Sequence, residues 1–216
     1  MPVQQRQRNG SSIHVPASIS RGQLLSRGAK GGAALLVGGS ALGQLVGTAA
    51  AADPVPAADL AYARLLVGVE LLGVAFYTQA IAAADTSRTL GGYLRRARAN
   101  EQEHYQSVAA IISGAGQTPA LAGDIDFSFP SGTFASQKSI VKLARQLEGI
   151  MLAAYLGAIA GMQTDSLKAG LAQIAACEAQ HSAYFTTAAG GKTFSLSFPP
   201  ALKIDQASNA LDAFTA

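Results

Sequence analysis

The sequence has little of several residue types that usually define a fold or a site. It contains no tryptophan, one cysteine and three histidines in 216 residues, and only 13% of its residues are charged. A single cysteine excludes an intramolecular disulfide, so the core must be held together by packing. About half of the residues are apolar (49%), which is enough for one domain of this length plus short extensions.

Positive charge is concentrated at the start of the chain, where no acid accompanies it. The first 51 residues hold five basic side chains: Arg6, Arg8, Arg21, Arg27 and Lys30. The remainder holds the other 11 basic side chains and all 13 acids, a net charge of −2. The basic isoelectric point therefore does not indicate a nucleic-acid partner.

A glycine-rich, weakly hydrophobic run follows at residues 31–52 and ends in the alanine tract Ala49–Ala52. The long polar start, the modest apolar run and the Ala-x-Ala-like site predict an export signal over residues 1–52. Residues Ser20–Leu25 resemble a twin-arginine signal, with Gly22 where the second arginine belongs. The alternative is a retained anchor, because about 20 apolar residues can span a bilayer. We favour cleavage near Ala50–Ala52 and a location in the periplasm, cell envelope or extracellular space.

Two Glu-x-x-His motifs are the candidate metal-binding sequences. The predicted helix before each motif contains a single glutamate. Residues i and i+3 lie on one face of a helix, so each motif can hold one metal ion from two sides. The motifs are Glu101–His104 and Glu178–His181, and the single glutamates are Glu70 and Glu148. The alternative is that these are surface or capping acids beside incidental histidines.

The spacing of these residues argues for one shared site. In each half, the single glutamate and the motif lie about 15 residues on either side of a turn signal, Asp85–Ser87 or Gln163–Ser166. In an antiparallel helix pair, residues equidistant from the turn sit at the same height, here roughly 23 Å along the helix. Both helix pairs therefore bring their acids and imidazoles to one level.

The acids also interrupt apolar stripes with helical spacing, which predicts that they face the core. The helices are predicted near residues 58–84, 87–113, from 136 onward, and from 165 to about 190, with a long connection at 115–135. Four buried carboxylates would repel one another, and two divalent cations would neutralise them. Glu103 falls off the stripe and is predicted to be exposed. Cys177 is predicted to be a small filler that points off the metal face.

At these residues the chain resembles the ferritin-like di-iron or di-manganese carboxylate proteins, whose four helices contribute two glutamates and two Glu-x-x-His motifs. The resemblance covers about residues 57–189. It implies an all-α, antiparallel four-helix bundle over residues 53–191, with one long crossover between helices two and three. A C-terminal tail, residues 192–216, is expected to pack on the bundle.

The same resemblance implies a role for each ligand. Glu101 and Glu178 would bridge two metal ions, Glu70 and Glu148 would be terminal ligands, and His104 and His181 would each supply one nitrogen. More narrowly, the chain is similar to exported bacterial ferritin-like domain proteins, a group similar to plant desiccation-related proteins. The segment Phe129–Ala135, before the third helix, adds to that similarity.

The two halves form an internal repeat, Glu-x4-Ala-x-Tyr-x-x-Ala-Ile-Ala, which begins at Glu70 and again at Glu148. It places Tyr77 and Tyr155 seven residues after these glutamates, roughly 10 Å along the same helix face. Two roles stay open for the tyrosines: packing in the core, or redox participation in catalysis. Ferritins resemble this chain in keeping a tyrosine near their di-iron site, which favours the redox role for Tyr77.

The expected function is that of an exported protein with two iron ions, alternatively manganese, that oxidises Fe(II) or reduces O₂ or peroxide. Carboxylate and imidazole ligands suit these metals, and zinc is also compatible. The alternative is a stress- or desiccation-related envelope protein whose metal only stabilises the bundle. The expected partners are metal ions and O₂ or peroxide, with no nucleic acid and no stable membrane span after processing. The oligomeric state stays open, a dimer being one option.

Overall fold

The computed structural model describes residues 54–83, 86–193 and 196–215. They form five α-helices: α1 (Ala57–Ala82), α2 (Arg88–Gly114), α3 (Gln137–Gly161), α4 (Asp165–Ala188) and α5 (Ile204–Asp212). The predicted leader with its cleavage site, and Asp85 of the first turn signal, lie outside the described residues.

The four long helices form the predicted all-α bundle, which is confirmed. α1 packs along α2 and α3 along α4, and the two pairs meet through α1 and α3. The connection between α2 and α3 is the long one, and the link between α3 and α4 is short. This topology is that of ferritin-like bundles with one crossover.

Serine side chains fix the starts of α2 and α3. The Ser87 hydroxyl accepts a hydrogen bond from the backbone N–H of Leu90 at 3.3 Å. Ser136 forms a capping box with Ser139 at the start of α3. Each cap satisfies N–H groups that the helix itself leaves without a partner. The sequence placed both helix starts at these serines.

The start of α4 has no side-chain cap, and the turn before it is instead held by a residue of α1. Asp59, in the first turn of α1, accepts hydrogen bonds from the N–H groups of Gln163 and Thr164, each at 2.8 Å. Asp59 is fully buried, and the bonds join the two helix pairs at one end of the bundle. The acid therefore fixes the relative position of α1 and α4.

The core consists of two hydrophobic clusters with polar side chains between them. One cluster contains Leu66, Ile111 and Met151, and the other contains Phe76 and Leu147. α1 is apolar enough by length and composition to cross a membrane, but 61% of its most apolar stretch is buried within this core. The same pattern is found in core helices of helical bundles.

The C-terminal tail lies on the bundle through α5, which packs against α1 and α3. The N–H of Leu202 donates to the carbonyl of Ala153 at 2.9 Å. This approach requires a glycine, because a Cβ at Gly157 would lie 1.7 Å from the carbonyl oxygen of Leu202. Near the end of the tail, Ser128 donates its N–H to the carbonyl of Phe214 at 2.7 Å, which joins the tail to the α2–α3 connection.

Candidate metal centre

The structure brings the six predicted ligand side chains together between the two core clusters. All four glutamates are fully buried, and His104 and His181 are only 9% and 3% exposed. Within each of two groups, the candidate ligand atoms lie within 4.8 Å of one another. The first group is Glu70, Glu101, His104 and Glu178, and the second is Glu101, Glu148, Glu178 and His181.

Glu101 and Glu178 belong to both groups, and each offers one oxygen to each histidine. Glu178 places Oε1 at 2.9 Å from Nδ1 of His104 and Oε2 at 3.7 Å from Nδ1 of His181. Glu101 places Oε2 at 3.2 Å from Nδ1 of His104 and Oε1 at 3.0 Å from Nδ1 of His181. A carboxylate that bridges two cations needs this arrangement.

Glu70 and Glu148 each approach only one histidine. Oε2 of Glu70 lies 3.7 Å from Nδ1 of His104, and Oε2 of Glu148 lies 3.5 Å from Nδ1 of His181. Each therefore belongs to one half of the centre. This is the geometry of a terminal ligand, the role that the family resemblance implied for both.

Each predicted tyrosine contacts the terminal glutamate of the other half of the chain. The Tyr77 hydroxyl donates to Oε1 of Glu148, and the Tyr155 hydroxyl donates to Oε1 of Glu70. The sequence spacing related each tyrosine only to the glutamate of the same helix. Since α1 and α3 run antiparallel with the same Glu-x6-Tyr spacing, the glutamate of one helix comes level with the tyrosine of the other. Both hydroxyls hold Oε1 and leave Oε2 facing the centre.

Several buried oxygens that face the centre have no hydrogen-bond partner among the described residues, although Oε2 of Glu101 is hydrogen-bonded to Nδ1 of His104 at 3.2 Å. The unpaired atoms are Oε2 of Glu70, Oε1 of Glu101, Oε2 of Glu148, both carboxylate oxygens of Glu178, and Nδ1 of His181. Their close approaches to one another lack the directionality of hydrogen bonds. A buried unpaired polar group costs roughly 1–3 kcal/mol, and more if charged. Converging oxygens and imidazole nitrogens with no other partner fit the ligand set of two metal ions.

The carboxylates have sharply different proton affinities. Burial, with the negative charge of Glu178, raises the pKa of Glu101 well above its usual range, and burial raises the pKa of Glu148 to about 8. Burial acts on Glu178 in the same direction, but the positive charge of the adjacent His104 and His181 imidazoles holds its pKa at about 2. Protons therefore balance part of the negative charge when no metal is bound. Because metal ligands must be deprotonated, metal binding displaces these protons.

The outer edge of His181 has two polar neighbours that the sequence did not identify as site residues. The side-chain amide of Asn100 lies 3.1 Å from Nε2 of His181, and Sγ of Cys177 lies 3.6 Å from the same nitrogen. Because Sγ of Cys177 contacts both His181 and Asn100, Cys177 is not the isolated filler that the sequence suggested. A signal was present: Asn100 directly precedes Glu101, and Cys177 directly precedes Glu178.

A pair of partly exposed tyrosines, also missed from the sequence, covers the same edge. Tyr93 stacks on Tyr184 with ring centroids 3.4 Å apart, and its ring meets that of His181 edge-on at 6.2 Å. Burial raises the pKa of Tyr93 to about 12, so its hydroxyl keeps its proton at neutral pH. The two aromatic rings lie on the side of His181, whose exposed fraction (3%) is smaller than that of His104 (9%).

Comparison with protein families gives the same classification as the geometry. The family model of the ferritin-like domain matches residues 58–191, which is more than half of the chain and spans α1 to α4. No curated protein matches the sequence. The matched range contains all six candidate ligands and both tyrosines. The chain therefore belongs to the ferritin-like domain family.

Proposed function

We propose that the protein binds two iron ions, or alternatively two manganese ions, in this centre and oxidises Fe(II) or reduces O₂ or peroxide. The observation that carries the proposal is the set of unpaired, buried oxygen and nitrogen atoms that converge from four helices. The arrangement has two halves, with Glu101 and Glu178 shared between them. Such a ligand set suits the binding of redox metals. In a metal-free core, the same buried carboxylates would lower the stability of the protein.

The bound ions would supply the redox chemistry with O₂ or peroxide, and the protein would supply position and protons. Four carboxylates and two imidazoles shared by two ions leave each ion short of six ligands, so a small reactant has room to bind. His104 is the most exposed of the six side chains, at 9%, which favours small reactants over bulky organic ones.

Tyr77 and Tyr155 are the oxidisable side chains in direct contact with the terminal ligands. Burial, with the negative charge of the adjacent glutamate, raises the pKa of each phenol well above its usual range, so each hydroxyl stays protonated. If Tyr77 gives up an electron, its proton can pass along the existing hydrogen bond to Oε1 of Glu148. The Tyr155–Glu70 pair offers the same route in the other half.

The metal-binding part of the proposal is tested by metal analysis of glutamate variants. Glu101→Ala and Glu178→Ala should each remove a bridging ligand and lower the metal content below two ions per chain. Glu103→Ala is the matched control, because Glu103 is an exposed glutamate on the same helix as Glu101. If both bridging variants kept two ions per chain, the ligand assignment would be wrong.

The redox part is tested by Fe(II) oxidation under aerobic conditions and with peroxide. We expect Tyr77→Phe to bind metal normally but to alter the later phase of Fe(II) oxidation, because it removes one electron donor. Tyr105→Phe is the control, since its hydroxyl donates to the carbonyl of Ala120 outside the metal centre. An unchanged time course in Tyr77→Phe would leave only a packing role for this residue.

A structural role for the metal is the second candidate, favoured by the complete burial of the four glutamates. Under it, metal would raise the stability by mass action, about 2.7 kcal/mol at a hundredfold excess over the dissociation constant. The two roles differ in turnover. Stoichiometric metal binding with no Fe(II) oxidation above the buffer rate, with both O₂ and peroxide, would decide for the structural role.

We further propose that the protein is exported, on the strength of its acid-free basic start and the alanine tract Ala49–Ala52. N-terminal sequencing of protein from the native host should find a start near Ala50–Ala52. A soluble cytoplasmic protein that begins at Met1 would refute export.

A further inference from the structure

We propose that Asn100 positions His181 as a metal ligand, and that this makes the two halves of the centre unequal, so that the half containing His181 binds metal more tightly. The inference rests on the proposed dinuclear site. It concerns a residue outside the ligand set and an asymmetry that the repeated sequence does not itself suggest.

The first step is the tautomer of the histidine. Nδ1 of His181 faces the carboxylates, at 3.0 Å from Glu101 and 3.5 Å from Glu148. A neutral imidazole binds a cation through the nitrogen that has no hydrogen. If Nδ1 is that nitrogen, the hydrogen must be on Nε2, and Nε2–H needs an acceptor.

The Asn100 amide lies beside this hydrogen. Its Nδ2 is 3.1 Å from Nε2 of His181 and 3.4 Å from Sγ of Cys177. The two ends of an asparagine amide have almost the same shape, so a 180° turn brings Oδ1 to the position of Nδ2. Nε2–H then donates to Oδ1, which fixes both the tautomer and the ring orientation.

The corresponding position in the other half is occupied by a weaker acceptor. Asn100 directly precedes the bridging residue Glu101, and Cys177 directly precedes the bridging residue Glu178. Sγ of Cys177 lies 3.6 Å from Nε2 of His181, and Nε2 of His104 has no hydrogen-bond partner among the described residues. A thiol is a weak acceptor, whereas an amide oxygen is a good one. His181 therefore has a strong outer partner, and His104 does not.

This difference should appear in metal affinity. A hydrogen-bonded outer partner orients a metal-binding histidine and raises its basicity, and its removal typically lowers metal affinity about 10–100-fold. The half with Glu148 and His181 should therefore bind the first ion, and the half with Glu70 and His104 the second.

The test is calorimetric titration of the full-length protein with Zn²⁺ alone. We expect two unequal binding steps in the wild type. Asn100→Leu, which keeps similar volume without an acceptor, should weaken the tighter step about 10–100-fold. Asn100→Asp, whose carboxylate accepts the same hydrogen bond, should keep that step tight. Gln102→Leu, an exposed amide on the same helix, is the matched control and should match the wild type.

NMR of the Zn²⁺-bound protein gives a second readout. The Nε2–H of His181 should exchange with water more slowly in the wild type than in Asn100→Leu, whereas the exchange at His104 should be the same in both. Equal exchange rates of His181 in the two proteins, or an Asn100→Leu titration that matches Gln102→Leu, would overturn the role of Asn100. A wild type that binds no Zn²⁺ would instead refute the dinuclear site on which the inference rests.

Discussion

Replacing Gly73 with alanine should reduce metal binding, although alanine has a higher helix propensity than glycine. Gly73 lies in α1 three residues after Glu70, where α1 approaches the side chain of Glu101. A Cβ at this position would lie 3.1 Å from Cγ of Glu101 and 3.0 Å from Cε of Met151. The added methyl group would therefore press against the side chain that both halves of the centre share.

The magnitude follows from two opposing contributions. Carbon atoms pack best at about 3.5–4.0 Å, so both neighbours must move by several tenths of an ångström. Cε of Met151 is the end of a flexible chain and can move at low cost. Cγ of Glu101 cannot move without displacing its carboxylate. Overpacking of this kind costs roughly 1–3 kcal/mol, whereas alanine improves a helix interior by up to about 1 kcal/mol over glycine.

We therefore expect Gly73→Ala to lower the free energy of unfolding of the metal-free protein by about 0–2 kcal/mol. Its metal affinity should fall about tenfold, which is 1.4 kcal/mol. Gly92→Ala is the matched control, because Gly92 is helical, exposed and has no atom within 4 Å of its Cβ position. Denaturant unfolding and metal titration measure both quantities. The reasoning would be refuted if Gly73→Ala gained stability like the control and bound metal like the wild type.

Two further predictions concern the contacts that hold the bundle ends and the tail. Asp59→Asn should cost about 1–2 kcal/mol at neutral pH by weakening the two hydrogen bonds to the turn before α4, and the exposed control Asp126→Asn should cost little. Burial would raise the pKa of Asp59, but its hydrogen bonds outweigh burial and lower it below 3.8. The contribution of Asp59 to the free energy of unfolding should thus be present above about pH 4 and disappear as the pH falls through the lowered pKa. Urea unfolding at several pH values measures this contribution. Gly157→Ala should displace the tail backbone at Leu202, detectable as faster proteolysis of the tail; an unchanged cleavage rate would contradict that contact.

The convergence of the six candidate ligands could be predicted from the sequence because a dinuclear carboxylate site requires a rare pattern. Four of the five glutamates in the chain occupy positions that interrupt apolar stripes. Within a hairpin, the distance from the turn sets the height of each residue, so Glu70 and Glu101 could be placed together without knowledge of tertiary packing. The helices and their approximate ends followed from the same periodicity and from the turn signals between them.

The contacts between hairpins could not be predicted in the same way. The pairing of Tyr77 with Glu148 depends on how α1 is aligned with α3, and no turn links these helices. The same holds for Asn100 and His181, which lie 81 residues apart on α2 and α4. Periodicity shows which face of a helix is buried, but not which side chain of a distant helix it will meet. The leader stays a prediction, because it lies outside the described residues.

The energetics of the centre bear on the choice between the redox and structural roles. Replacing buried charged groups with apolar side chains of similar volume often leaves the stability of a protein unchanged or raises it. The four glutamates divide the core into two clusters where one continuous apolar core could have formed. The tail and the hydrogen bonds of Asp59 already provide links between helices that need no metal. A bundle that needed only stability would have a simpler solution in leucine or methionine at these positions. This favours chemistry at the metal ions as the reason for the buried glutamates, and it supports the proposed redox function over a structural one.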